Sequence, residues 1–462
     1  MNRLTYPALL ACILCFSSST LPAQTAPAQT TSPIGKLQIP LGPYAYETKP
    51  DHEAFAAFNP RKAPAAGPLL LKQGDRLAIC GDSITEQKMY SRMIETYLTV
   101  CVPQLEITVR QYGWSGEKTD GFLRRMDQDC LTFQPTIATL AYGMNDSRYR
   151  PFDVNNGQWY EDHYSAIVRR FKENDVRVVV GSPGCAGKIA SWVKSKAGDL
   201  EDHNIHLCAL RDIAMIVAEK NDVRFADIFW PMFQAQVFAP AQHNATDESP
   251  YNVAGNDGIH PGWAGQTIMA YAFLKALGLD GQIAEIQWDL ENGKVTTSRG
   301  HQLVSYSDGN ATLQSTQYPF CAAGELDHHN SIRSGMTLVP FNEDLNRFQL
   351  TVRGTTAAEY RVTWGDESRV YSAADLQKGV NLADDFSINP FSEAFAKVDE
   401  AVAAKQAFET HQVKKVFHGK EGKTDFAAAV AKTEAERAPL ADAIQDAFHP
   451  VTHTIQVTAV DR

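Results

Sequence analysis

No lysine or arginine block interrupts this 462-residue chain to offset its formal net charge of −11. Phosphate backbones bind cationic faces, so the charge balance excludes a nucleic-acid partner. Long apolar runs are also missing. No segment beyond the N-terminus approaches the roughly 20 apolar residues needed to cross a bilayer, so no integral membrane segment is expected once a leader is removed. Cysteine is sparse, eight residues in all, and its spacing offers no zinc-ligand pattern. Internal repeats are absent. What remains is a globular composition, 44% hydrophobic and 21% charged. The chain is too long for one ordinary core, so two domains and a tail are expected.

The first residues have the layout of an export signal over 1–23. Arg3 is the basic start, Tyr6 to Phe16 the apolar run, and Leu21-Pro22-Ala23 the small-residue cleavage site. The expected destination is the periplasm or the extracellular space. Leu9-Leu10-Ala11-Cys12 resembles a lipobox, so lipid anchoring through Cys12 is the alternative. Cleavage leaves Cys80, Cys101, Cys130, Cys185, Cys208 and Cys321. Export would permit disulfides. These cysteines are scattered, however, and several sit in apolar stretches where a free thiol serves as a small buried hydrophobe.

Residues 24–68 are rich in Ala, Thr, Gln and Pro, then irregular, which suits a linker and N-terminal arm. From 69 to 280 short apolar runs alternate with amphipathic stretches. Strands are expected at Arg76–Cys80, Leu105–Tyr112, Thr136–Tyr142, Val176–Gly181 and Val223–Ile228. Helices are expected through Met89–Tyr97, Phe122–Leu131, Tyr160–Glu173, around Ile205–Glu219, and from Pro261 to Leu277. Such alternation predicts an α/β fold, a parallel sheet with helices on both faces and its active site at the carboxyl ends of the strands. Over 281–462 the pattern changes. Ile286–Leu290, Lys294–Ser298, Ala311–Thr316, Arg347–Val352, Tyr360–Trp364 and Thr454–Val460 read as antiparallel strands, with turn signals at Asn292-Gly293 and Asp308-Gly309. Phe391–Phe408 and Asp425–Ala447 are helical in composition, so a β-rich domain with an attached helical pair is expected.

Four patches fall where that fold would place a site. Gly81-Asp82-Ser83-Ile84-Thr85 follows the first strand. A serine there lies at the sheet edge beside unpaired helix N–H groups, although an ordinary helix cap would look the same. Tyr112-Gly113-Trp114-Ser115-Gly116 follows the second strand; glycine allows close backbone approach and frees an N–H, or merely turns the chain. Gly143-Met144-Asn145-Asp146 follows the third, where the Asn145 amide can donate into a cavity or simply shape a turn. Asp257-Gly258-Ile259-His260-Pro261 opens the closing helix. Its spacing lets Asp257 orient the His260 imidazole, with Ser83 as the nucleophile the imidazole activates. Singly each patch is weak. Together they supply nucleophile, base, base-orienter and oxyanion donors.

These blocks, GDSIT, YGWSG, GMND and DGIHP, make residues 76–277 resemble the SGNH or GDSL-type hydrolase family, with Ile84 where the family's name motif has leucine. The resemblance implies a flavodoxin-like α/β/α sandwich and a metal-free acyl-serine mechanism needing no cofactor. It also implies an oxyanion hole from Ser83, Gly116 and Asn145, and activity as an esterase, lipase or carbohydrate deacetylase. The tail is similar to one on bacterial exported members, which carries segments like Leu338–Val352 and Lys378–Ala383. Within the latter, Asn381 either reaches the active-site rim or packs a turn. Trp114, Tyr142 and Tyr149 lie beside the blocks and are candidate substrate-binding residues, or else packing. No apolar lid or interfacial amphipathic helix is evident. The expected substrate is therefore a small-molecule or polysaccharide ester, with acetylated sugars ahead of lipids. A non-catalytic glycan-binding module on this scaffold is the rival reading.

Overall fold

Residues that alternate along the central strands divide cleanly between two apolar layers, because successive side chains of a strand point to opposite faces. In β1 (Arg76–Gly81), Leu77 and Ile79 enter one layer, while Ala78 and Cys80 enter the other. The computed structural model describes residues 31–34, 37–40, 44–194 and 197–460. The expected export signal, with Cys12, lies outside them. β1 is joined by β2 (Thr108–Gly113), β3 (Ile137–Ala141), β4 (Arg177–Gly181) and β5 (Arg224–Ala226) in an all-parallel sheet of order β2-β1-β3-β4-β5. This is the flavodoxin-like order.

Helices α1 (Ser83–Glu86) and α2 (Tyr90–Val100) cover the Leu77 face. The opposite face is covered by α3 (Thr119–Asp129), α4 (Val154–Lys172) and much of α5 (Leu200–Asn221). Two more helices, α6 (Phe229–Gln242) and α7 (Trp263–Ala276), return to the first face. The sequence pattern did not separate α6 from its surroundings, because it is apolar all round and carries Pro240. The arm does more than lie on the surface. Phe55 and Phe58 are buried, and Phe55 packs edge-on against Trp230 and Phe233 of α6, 5.4 Å from each.

The strands beyond Gly281 form two further sheets. In one, β6 (Gln282–Asp289), β7 (Lys294–Thr297), β10 (Arg347–Arg353) and β13 (Val380–Asn381) run in the order β13-β10-β6-β7. In the other, β8 (His301–Ser307), β9 (Asn310–Ser315), β11 (Glu359–Trp364), β12 (Glu367–Ser372) and β14 (Val451–Ala459) run β8-β9-β14-β11-β12. Asn292-Gly293 and Asp308-Gly309 make hairpin turns as expected, with Asp308, Gly293 and Gly309 all at positive φ. The expectation of wholly antiparallel pairing is corrected at one place: β10 pairs with β6 in parallel, although both strands have the same alternating pattern. Asn381 packs a turn. Its Nδ2 donates to the carbonyls of Asn342 and Asn346, and its Oδ1 accepts the Phe348 N–H. The six cysteines among the described residues are buried free thiols. Among these residues no helix is long and apolar enough to cross a membrane.

The helical pair, α8 (Ser392–His411) and α9 (Phe426–Ala447), packs against the α/β layers and covers the open edge of β2. An edge strand presents unpaired N–H and C=O groups that must find partners. Here charged side chains supply them. The Val109 carbonyl accepts Lys405 Nζ at 2.5 Å, and the Gln111 N–H donates to Glu409 at 3.2 Å. Lys405 is also paired with Glu95 (2.8 Å) and Glu409 (2.9 Å), and Arg437 with Glu409 (2.7 Å). Glu95, Lys405 and Glu409 are buried, and Arg437 is partly so. Burial pushes the Glu409 carboxyl up, but the Lys405 and Arg437 cations outweigh it and hold the group low. Removing one member of a buried ionic network strands its partners. Lys405→Met is expected to lose about 3–5 kcal/mol of stability, read as a lower midpoint in urea unfolding.

Candidate active site

The Ser83 hydroxyl is free to react because another residue caps its helix. Asp82 is the N-cap of α1, its Oδ1 accepting the Ile84 N–H at 2.9 Å. Ser83 stands half-buried at the first helical position, and its Oγ lies 2.8 Å from His260 Nε2. Nδ1 of the same ring lies 2.7 Å from Asp257 Oδ2. With Nδ1–H facing Asp257, Nε2 accepts from the serine. The second Asp257 oxygen accepts the backbone N–H groups of Ile259 (2.9 Å) and His260 (2.8 Å), so the loop orients its own carboxylate. Burial pushes the Asp257 carboxyl up, but these bonds hold it below the usual carboxylate range.

Two features fix that loop against the Ser83 turn. Gly255 has φ +85°, and a Cβ there would sit 1.8 Å from the His260 carbonyl oxygen, so only glycine permits the approach. Gln266 of α7 donates to Gln87 (2.7 Å) and accepts the Tyr90 N–H (3.2 Å), tying the closing helix to the first two. The tail contributes as well. Gly262 gives α7 no side-chain cap, and the carbonyl of His329 accepts the Ala264 N–H at 3.1 Å in its place.

The oxyanion candidates gather from the ends of β1, β2 and β3. Gly116 is exposed at φ +73°. Among the described residues no acceptor takes the N–H of Ser83 or of Gly116. Asn145 Nδ2 donates to the Glu117 carbonyl at 3.1 Å and, more loosely, to Asp82 Oδ2 at 3.3 Å. Its Oδ1 accepts the Tyr149 hydroxyl at 2.8 Å, which sets which end of the amide faces the cavity. Arg148 and Tyr149 both adopt left-handed φ (+54° and +53°), a strained run that delivers the phenol to Asn145. Beneath the loops, Asp146 accepts the Thr119 N–H (2.9 Å) and the Gly143 N–H (3.0 Å), joining the second and third blocks. Burial above all pushes Asp82 up to about 7 and Asp146 up to about 6.

The aromatic candidates separate. Tyr142 is corrected: it is 1% exposed, and its hydroxyl donates to Glu117 at 2.9 Å, so it cannot meet a substrate. Trp114 is half-buried, with Arg125 and Lys414 each 5.1 Å over its ring and His418 edge-on at 4.9 Å. Tyr149 is half-buried and turned to Asn145. Sequence reasoning missed Trp192, which is 44% exposed on the loop after β4, its ring 5.7 Å from that of His260. An apolar aromatic in a Gly- and Ser-rich loop was the available signal.

Residues 79–268 match the family model described as the GDSL-like lipase/acylhydrolase family. No curated protein sequence matches the chain. Among solved structures, BT4096, a gut microbial diltiazem-metabolizing enzyme, shares the fold at 21% identity. The match has a TM-score of 0.67 and covers 86% of this chain and 100% of that one. An acetylxylan esterase from Geobacillus stearothermophilus, Axe2, is 19% identical over 46% of this chain and 97% of its own, with a TM-score of 0.36. Residues 79–268 thus form a GDSL-like lipase/acylhydrolase domain of the SGNH hydrolase type, and the protein is an ester-bond hydrolase.

Proposed function

We propose that this hydrolase works through an acyl-serine intermediate on acylated carbohydrates, chiefly removing acetyl groups, and does so after export. The observation that carries the mechanism is the hydrogen-bond chain from Asp257 through His260 to Ser83, at 2.7 and 2.8 Å. Ser83 Oγ attacks the ester carbonyl carbon while His260 Nε2 takes its proton, and the ionised Asp257 steadies the imidazolium. The imidazolium then protonates the departing alcohol. Water, deprotonated by the same ring, attacks the acyl-serine; the imidazolium then returns that proton to Ser83 Oγ as the carboxylic acid leaves. The chain's own residues supply every proton transfer in this cycle, so no cofactor enters.

The developing oxyanion is received by the unengaged N–H groups of Ser83 and Gly116 and by Asn145 Nδ2. The loose 3.3 Å contact of Asn145 with Asp82 is the one the oxyanion replaces. Each such donor lowers the barrier by about 3 kcal/mol. For the substrate, the exposed Trp192 indole beside His260 offers a flat apolar face of the kind a sugar ring can lie against. Export rests on the basic start, apolar run and small-residue site of residues 1–23.

Ser83→Ala is expected to lower turnover by about 10⁴-fold or more and to abolish labelling by a fluorophosphonate probe, with the unfolding midpoint unchanged. Retained labelling would move the nucleophile elsewhere. Acetylated xylo-oligosaccharides are expected to be cleaved faster than long-chain p-nitrophenyl esters, and a reversed preference would make the substrate a lipid. Diltiazem belongs in the same panel, since the enzyme of similar fold metabolises it. Tyr149→Phe frees the Asn145 amide to turn. The loss of one hydrogen bond, about 1 kcal/mol, predicts a kcat lower by about fivefold. N-terminal sequencing of the protein recovered outside the cytoplasm is expected to start at Gln24; an intact Met1 would refute cleavage.

A further inference from the structure

The helix α8 does not stop at His411. It continues into one π-helical turn, Gln412–Phe417, a distortion that often accompanies function because it redirects side chains by a partial turn. Here it directs Lys414 from the tail onto the catalytic layer. Lys414 Nζ lies 2.7 and 2.9 Å from the two carboxylate oxygens of Glu86, the last residue of the helix that Ser83 begins. Glu86 Oε2 in turn accepts both the backbone N–H of Ser115 (2.5 Å) and its hydroxyl (2.6 Å). Gly116 follows directly. Both side chains of the ion pair are about one-fifth exposed (22% and 20%), so the pair is shielded more than a surface salt bridge. Burial pushes the Glu86 carboxyl up, but the bonds from Lys414 and Ser115 hold it below the usual carboxylate range.

Little packs on Gly116 itself: apart from its two chain neighbours, no atom among the described residues lies within 4 Å of where a Cβ would stand. Its orientation must come from its neighbours. The Trp114 N–H is fixed to the Gly81 carbonyl at 3.0 Å, and the Glu117 N–H closes the turn onto the Trp114 carbonyl at 3.1 Å. Among the described residues, the N–H and hydroxyl of Ser115, between them, are held by Glu86 alone.

We propose that Lys414 is a positioning residue for ester hydrolysis: by pinning Glu86 it fixes Ser115, and through Ser115 it aims the Gly116 N–H at the oxyanion. The strap joins the tail to the catalytic centre, and its kinetic meaning rests on the serine-esterase reading above. Among the described residues no hydrogen bond joins Lys414 to Ser83, His260 or Asp257; its side-chain bonds go to Glu86.

The test uses the full chain with p-nitrophenyl acetate, alongside hydrogen exchange of the backbone amides at 113–118. Removing an oxyanion donor costs about 10²–10³-fold in kcat, and misaiming one costs less. Lys414→Met is therefore expected to lower kcat by about tenfold with KM within about twofold, and to speed exchange at Ser115 and Gly116. Lys414→Arg, which keeps the charge, is expected to restore most of both. Glu86→Gln, which keeps an acceptor for Ser115 but loses the ion pair, is expected to show a smaller loss of the same kind and serves if Lys414→Met does not fold. A kcat unchanged in folded Lys414→Met, a change confined to KM, unchanged amide exchange, or no recovery with arginine overturns the proposal. If wild-type protein shows no hydrolysis that Ser83→Ala removes, the esterase reading fails on its own, and amide exchange alone then decides whether the strap exists.

Discussion

Parallel strands cannot be joined by tight turns, and each must be followed by a crossover on one face of the sheet or the other. In the order β2-β1-β3-β4-β5 the crossovers leaving β1 and β3 diverge to opposite faces, and a crevice opens between their carboxyl ends. Ser83 and Asn145 stand on its two walls, with Gly116 beyond β2 and the His260 loop closing over them. The loops that meet there carry backbone N–H groups that regular structure does not satisfy. Asp82, Asp146, Glu117 and the inner oxygen of Asp257 take those groups or their neighbouring side chains as partners. The raised pKa values of Asp82 and Asp146 are the electrostatic consequence of using buried carboxylates as loop anchors.

Much of this was legible from residue pattern. The five catalytic-domain strands and the hairpins at Asn292-Gly293 and Asp308-Gly309 follow from alternation and turn chemistry, which are local. Tyr142 was also readable in principle: it continues the Ala138, Leu140 alternation and so points into the same apolar layer. Adjacency to a motif block suggested a site where periodicity indicated core. Asp82 and Ser83 are equally good caps by type, and only the folded turn decides between them. The parallel pairing of β10 with β6 was hidden because alternation marks a face and not a partner. The docking of α8 and α9 was hidden for the same reason. Their composition announced helices, while the surface they cover is set by buried charges meeting the edge of β2.

The tail is consequently woven into the catalytic layer. Its strands share an apolar cluster with α2 and α7, its helices finish the sheet, and the carbonyl of His329 ends the helix behind His260. Covering an edge strand with Lys405, Glu409 and Arg437 also means that β2 offers no template for pairing with a second chain.

The N-terminal arm fills a hollow that the α/β layers leave open. Phe55 and Phe58 enter an aromatic nest of Phe229, Trp230 and Phe233. A catalytic unit trimmed to start at Leu69 would keep every reacting group yet bare those rings to water. The apolar layer on this face therefore extends beyond the first strand to the two phenylalanines that plug it.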